Sequence, residues 1–215
     1  ATQAQPLSKA KQAFQHGYYE QAIEHWQSVL ATTPNTSHRL EAYQGIAAIY
    51  RHRGLYDKAL HVLNTALPIA RQDVSHHANL LNELTQLHLS QGKQQLKKAR
   101  PTAEKALAIA RSANNSLLLA KVLRQWGNLL SAEDDYEGAL AAFAEALALV
   151  SPLRSQGEMA ELYGKILINQ AQTTFVSDFN NAYQYSNNHK AFRASRVATE
   201  QALQEAQNWP DAYGE

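Results

Sequence analysis

Apolar and small residues recur along this chain at helical spacing. Tyr43, Ile46, Ala47 and Tyr50 fall at i, i+3, i+4 and i+7, and Ala59, Leu63, Ala66 and Leu67 form a second stripe in the next segment. Each stripe is one face of an amphipathic helix. Extended along the chain, the pattern predicts ten helices, at 4–16, 20–32, 37–53, 56–71, 75–91, 96–112, 115–132, 136–150, 154–176 and about 189–208. Asn35-Thr36-Ser37 and Ser116 are N-cap candidates, Pro34 follows one helix, and Pro152 sits between two. Pro101 falls early in a helix, and is tolerated if the helix effectively starts there, because the first turn lacks backbone acceptors anyway.

The helices repeat as pairs. A small residue followed by Leu recurs at Val29-Leu30, Ala66-Leu67, Ala106-Leu107, Ala146-Leu147 and Ala202-Leu203, with steps of 37, 40, 40 and 56 between the Leu positions. Seven residues before the first member of each pair stands another small residue: Ala22, Ala59, Ala99, Ala139 and Ser195. Upstream of those lie turn signatures, Gly17-Tyr18-Tyr19, Gly54-Leu55-Tyr56, Gly92 with Leu96, and Asp134-Asp135-Tyr136. Two helices approach to about 8 Å only where the crossing side chains are small, and Ala47 with Ala59 meets that need. One pair cannot bury its apolar face alone, so several must stack. The expectation is an all-α solenoid of five helix pairs in a single repeat domain over 1–215. Its units span about 4–34, 37–72, 75–113, 115–151 and 154–208, with an insertion at 177–189.

Composition agrees. Among 215 residues, 36 Ala, 27 Leu and 20 Gln favour helix and leave little material for a sheet. The longest unbroken apolar run, six residues from Ala139 to Ala144, is far below the ~18 needed to cross a bilayer. With no Cys, disulfides and thiolate metal sites are excluded. The chain starts at Ala1 and its single Met is Met159, as in a trimmed chain, a cleaved export signal or simple initiator removal. Cytoplasmic and exported or periplasmic settings both stay open.

These residues resemble the tetratricopeptide (TPR) family. Its pattern asks for an aromatic or Leu, then Leu-Gly or Leu-Ala, then Tyr in the first helix. A Gly-x-Tyr turn follows, then Ala, an aromatic and Ala-Leu in the second helix, and Pro after it. The second unit matches with Tyr43, Ile46-Ala47, Tyr50, Gly54, Tyr56, Ala59 and Ala66-Leu67, and the fourth with Leu123, Trp126-Gly127, Leu130, Tyr136, Ala139, Phe143 and Ala146-Leu147. The first contributes Gly17, Tyr19, Ala22, Trp26 and Pro34. In the third, Thr85 replaces the small residue and two residues are inserted after Gly92. The step near 40 exceeds the common TPR period of about 34. It is similar to the longer repeats of kinesin light chains and of bacterial arrays joined to a caspase-like CHAT domain. A chain of the latter kind would be the regulatory repeat region of a larger bacterial multidomain protein. The resemblance implies a right-handed superhelix acting as a non-catalytic protein-interaction scaffold.

The family's groove positions map to Gln44, Ala48, Arg51 and His52, then Asn79, Asn82, Gln86 and Ser90. They continue with Lys121, Arg124, Asn128 and Ser131, then Lys165, Ile168, Gln172 and Phe175. Amides carry both donor and acceptor and suit the backbone of an extended peptide, whereas cations suit an acidic side chain or a free C-terminus. Arg124, Asn128 and Asn169 also resemble three members of the carboxylate clamp with which some TPR domains grip chaperone C-termini. No third unit supplies the remaining cations.

Charge is uneven along the chain. Residues 93–124 carry eight cations against Glu104, and residues 133–161 seven anions against Arg154. A basic stretch could serve an RNA backbone, but it lacks the interleaved aromatics of single-strand binders, so nucleic acid is the alternative reading. Self-association is a further possibility. Phe179, Tyr183 and Tyr185 mark the 177–189 insertion as a binding loop or a cap over the last pair. Nothing in the sequence ties its nine His into a catalytic or metal site. His76 and His77 point about 100° apart on a helix, and His-Glu-x-x-His, Gly-rich phosphate loops and Gly-x-Ser-x-Gly are all missing. No cofactor and no enzyme activity are expected.

Overall fold

The computed structural model describes residues 4–155, 157–184 and 189–207, with side chains over 6–155, 157–181 and 193–205. Among the described residues the regular structure is helical. The helices are α1 (Ala4–Gln15), α2 (Tyr19–Thr32), α3 (Thr36–His52), α4 (Tyr56–Ile69), α5 (Val74–Ser90), α6 (Leu96–Ser112), α7 (Ser116–Ala132), α8 (Tyr136–Val150), α9 (Gly157–Gln184) and α10 (His189–Gln207). Single 3-10 turns follow α4, precede α6 and follow α8. The chain divides into two compact units, 1–113 and 114–215.

In the first unit α1 packs on α2, α3 on α4 and α5 on α6, and α3 also touches α2 and α5. The middle helix is therefore apolar on two faces. Ala42, Ile46 and Ile49 join Leu7, Ala10, Trp26 and Val29 in one core cluster. Leu40 and Ala47 join Ala59, Leu63, Ala66, Leu80 and Leu87 in another. Ala47 and Ala59 are fully buried in the same cluster, as the small-residue crossing requires. Tyr19 and Tyr56, the ring residues after the glycine turns, pack against these two clusters. Thr85 is fully buried where the repeat pattern wants a small residue, and its hydroxyl donates to the Leu81 carbonyl at 2.9 Å. That bond spares the core an unsatisfied polar group.

In the second unit α7 packs on α8 and α9 on α10, with α9 also touching α7 and α8. Residues Tyr136–Leu153 are long and apolar enough to cross a membrane by length and composition. Here that stretch is α8 with its following turn, and Ala139, Ala142, Phe143, Ala146 and Val150 of α8 are buried. Phe143 lies against Gly127 of α7, the small residue of the Trp126-Gly127 pair.

The turns recur with the repeat. Gly17 and Gly54 sit at φ +75° and +71°, and Asp134 holds the same position at +66°. After each, a backbone N–H reaches back to the last helical turn: Tyr18 to Ala13 O at 2.8 Å, Leu55 to Tyr50 O at 2.8 Å, and Asp135 to Leu130 O at 2.9 Å. This 6→1 bond caps the first helix of each pair and aims the second. The third pair differs. Gly92 is also left-handed, at φ +94°, but a 3-10 turn over Lys93–Gln95 follows it, closed by Gln95 N–H to Gly92 O at 3.1 Å.

Three features differ from the sequence expectation: the cap of α7, the place of Pro101 and the extent of the ninth helix. The cap of α7 is Asn115, whose Oδ1 accepts from Leu118 N–H at 3.0 Å, and Ser116 is already the first helical residue. Asn35 caps α3 in the same way, and Asp73 caps α5. Pro101 lies inside α6 rather than at its start, since the helix begins at Leu96 and runs past an exposed ring. The ninth helix begins at Gly157 and continues through Gln184, so the expected loop over 177–189 is helical in its first eight residues. No Gly or Pro lies between Ser177 and Gln184 to stop it. Asn180 donates from Nδ2 to the Tyr136 hydroxyl at 3.0 Å, which fixes the extension to α8. Residues 185–188 fall outside the described residues.

Candidate functional site

The expected groove residues of the first unit lie on α3 and α5, which are neighbours. Gln44, Ala48 and Arg51 share one face of α3 by their i, i+4, i+7 spacing, and Asn79, Asn82 and Gln86 share one face of α5. Arg51 is occupied. Its Nε donates to Oε1 of Glu83 at 2.6 Å, and the two side chains are 9% and 10% exposed. The pair bolts α3 to α5 and neutralises the one strong cation of this face. The His52 ring stacks on Tyr19 with centroids 6.3 Å apart and planes 6° apart. Arg53 lies over the Tyr19 ring, 5.8 Å from its centroid, and donates to Glu20 at 2.5 Å. That guanidinium holds the Glu20 carboxyl below the usual carboxylate range.

The amides of α5 are different. The side chains of Asn79, Asn82 and Gln86 are half-buried and have no hydrogen-bond partner among the described residues, and the same holds for Gln44 on α3. Partly desolvated amides without partners retain unused donors and acceptors, and these are the groups a ligand backbone can satisfy.

In the second unit the expected residues of α7 engage partners on α7 itself and on α9. Lys121 pairs with Glu158. Arg124 donates from Nη1 to Oδ1 of Asn169 at 3.1 Å. Asn128 donates to Oε1 of Gln125 at 2.6 Å, and Gln125 is buried. Thr173 donates to the Ser131 hydroxyl at 3.1 Å. Gln172 is exposed on α9. Two members of the clamp-like trio, Arg124 and Asn169, thus hydrogen-bond to each other. The structure also brings forward Glu83, Gln125, Glu158 and Thr173, which the sequence reading passed over. An isolated Glu or Gln in an amphipathic pattern reads as solvent-facing, and only its partner on another helix shows otherwise.

Two His on α5 titrate abnormally. Burial pushes His88 down, and the nearby Lys98 adds to it. Burial likewise lowers His77, with Lys105 and Arg71 contributing. A folded-state His pKa below the unfolded value means that the folded chain binds fewer protons. Stability from this source is intact above the unfolded value of about 6.5 and falls as pH drops through it. Unfolding free energy should therefore decline between about pH 7.5 and 5.5, and His88→Gln should flatten that slope in urea titrations run across the interval. Asp73 acts in a different window. Partial burial raises its carboxyl, but the His76 backbone N–H and ring, with the Ser75 N–H, hold it below its ordinary value. Its contribution is present at neutral pH and is lost only below about pH 4.

Stacked helix pairs with recurrent left-handed turns and small crossing residues define an α-helical hairpin repeat protein. The family model for the tetratricopeptide repeat matches residues 13–84. That match runs from the end of α1 through the second helix pair into α5, and the all-α fold of the described residues is similar to that of solved structures with such repeats. Among solved structures it is similar to BtubC (BKLC) from P. vanneervenii, with a TM-score of 0.64 and 16% identity over 94% of this chain and 79% of that one. A Rap protein solved in complex with competence and sporulation factor gives a TM-score of 0.65 at 15% identity, over 93% of this chain and 53% of that one. A Podosopora anserina putative kinesin light chain repeat protein gives 0.59 at 15% identity, over 95% and 96%. At these identities the likeness is one of fold. No curated protein matches the chain in sequence.

Proposed function

We propose that this chain is a non-catalytic protein-interaction scaffold and that α5, with α3 beside it, holds an extended peptide or partner segment. The observation that carries this reading is the half-buried row of unpartnered amides, Asn79, Asn82 and Gln86. Because Arg51 is neutralised by Glu83, the row favours a segment recognised through its backbone over one recognised through negative charge. The Rap protein solved in complex with competence and sporulation factor shares the fold, which supports reading this chain as one that binds another molecule.

The test starts from peptides selected on the full chain from a random display library. Three hydrogen bonds at about 1 kcal/mol each make the Asn79→Ala, Asn82→Ala, Gln86→Ala triple variant bind those peptides roughly a hundredfold more weakly. Selected peptides that bind the triple variant as tightly as the parent would place recognition elsewhere.

A further inference from the structure

A cavity of about 240 Å³ opens to solvent between the first two helices. Its walls are Lys9, Gln12, Ala13 and His16 from α1, Tyr18 from the turn, and Gln21 and His25 from α2. The spacing 9, 12, 13, 16 is one face of a helix, and 21 and 25 lie one turn apart on the next, so both helices turn a single face toward the cleft. Gly17, at φ +75°, reverses the chain between them and leaves the His16 and Tyr18 rings with centroids 6.0 Å apart. Ala13 excepted, every lining side chain can donate a hydrogen bond.

The charges around the cleft have one sign. Lys9 is its only permanent charge, and no Asp or Glu lines it. Glu20 and Glu24 precede Gln21 and His25 on α2, so each points about 100° away from the lining face. Glu20 is also engaged by Arg53, and Glu41 by Lys11. The volume is below the roughly 300 Å³ at which pockets for drug-sized ligands begin. It admits a compact group with a few waters.

We propose that this cleft binds a small oxyanion, a carboxylate or phosphoryl group. Lys9 supplies the counter-charge, and His16, His25 and Tyr18 supply donors around the oxygens. Charge-assisted bonds of this kind are the strong ones. The site is separate from the α5 amides and stands whether or not a peptide binds there.

The experiment is an NMR titration of the full chain with sodium phosphate and, separately, sodium acetate, at ionic strength held constant with chloride. The ring resonances of His16 and His25 should move together and saturate in the millimolar range. Saturation by phosphate alone identifies a phosphoryl site, and saturation by acetate as well identifies one that also takes a chain terminus or another carboxylate. Lys9→Glu should weaken binding about tenfold or more, while Lys97→Glu, on α6, should leave it unchanged. Shifts that drift linearly with both anions, or equal affinity in Lys9→Glu and the parent, would overturn the proposal.

Discussion

Replacing Glu83 by Ala is expected to destabilise the first unit by about 3–5 kcal/mol, as removal of one partner from a buried ion pair does. The cost arises from Arg51, whose guanidinium keeps its place between α3 and α5 but loses its counter-ion at 2.6 Å. A surface pair would behave otherwise: Arg100 with Glu104, half-exposed on α6, should change stability by less than about 1 kcal/mol when broken. The buried pair is not itself a large net gain, because desolvating both charges offsets most of their attraction. The double variant Arg51→Met, Glu83→Leu should consequently recover most of the loss. Urea unfolding of the full chain, with hydrogen exchange locating the weakened amides in α3 and α5, checks both statements. Equal stability of Glu83→Ala and the parent would show that the pair is solvated in solution.

Gly45→Ala is the second large effect, and here two physical effects predict opposite signs. Glycine inside a helix costs about 0.5–1 kcal/mol relative to alanine, so propensity alone predicts a gain. The structure predicts a loss. A Cβ at position 45 would lie 2.2, 2.3 and 2.5 Å from three atoms of the Trp26 indole. That ring is 3% exposed and is held on another side by Phe14, at 5.6 Å between centroids, so it has nowhere to move. Overpacking of this kind costs about 1–3 kcal/mol, and an overlap this deep belongs at the upper end, well beyond the propensity gain. Trp26→Phe should lower that penalty, giving a favourable coupling in a double-mutant cycle measured by urea denaturation. A Gly45→Ala variant more stable than the parent would mean that α2 and α3 are not packed this closely.

These two residues also show how much of the protein was legible in the sequence. Helices and their pairing were readable because three markers recur together: the left-handed turn, a small residue after it, and the small-Leu pair at the end. Ala47 and Ala59 could be placed at a crossing for that reason, and they share a core cluster. Gly45 could not, because its partner Trp26 belongs to the preceding pair and nothing local announces that contact. The α9 extension was misread for a related reason. Asn180-Asn181 looks like a turn, yet in the helix Asn180 reaches Tyr136 and Phe175 stacks on Phe179 one turn along.

For the candidate site, sequence position identified the residues but not their engagement. Arg51, Lys121 and Arg124 were read as available cations, and each is directed to a partner on the following first helix, at Glu83, Glu158 and Asn169. Such pairings depend on which helices are neighbours and on side-chain reach, which a single sequence does not encode locally. Among the described groove residues, Gln44 and the amides of α5 keep unused hydrogen-bonding capacity, and the functional reading follows from them.

Photo-crosslinking reports directly on whether α5 holds the peptide. A benzophenone amino acid is placed at position 82 of the full chain, and in parallel at position 58 on α4, and each is irradiated with a library-selected peptide. A peptide adduct that unlabelled peptide competes away is expected from position 82, and none from position 58. Adducts from position 58 with none from position 82 would contradict this expectation.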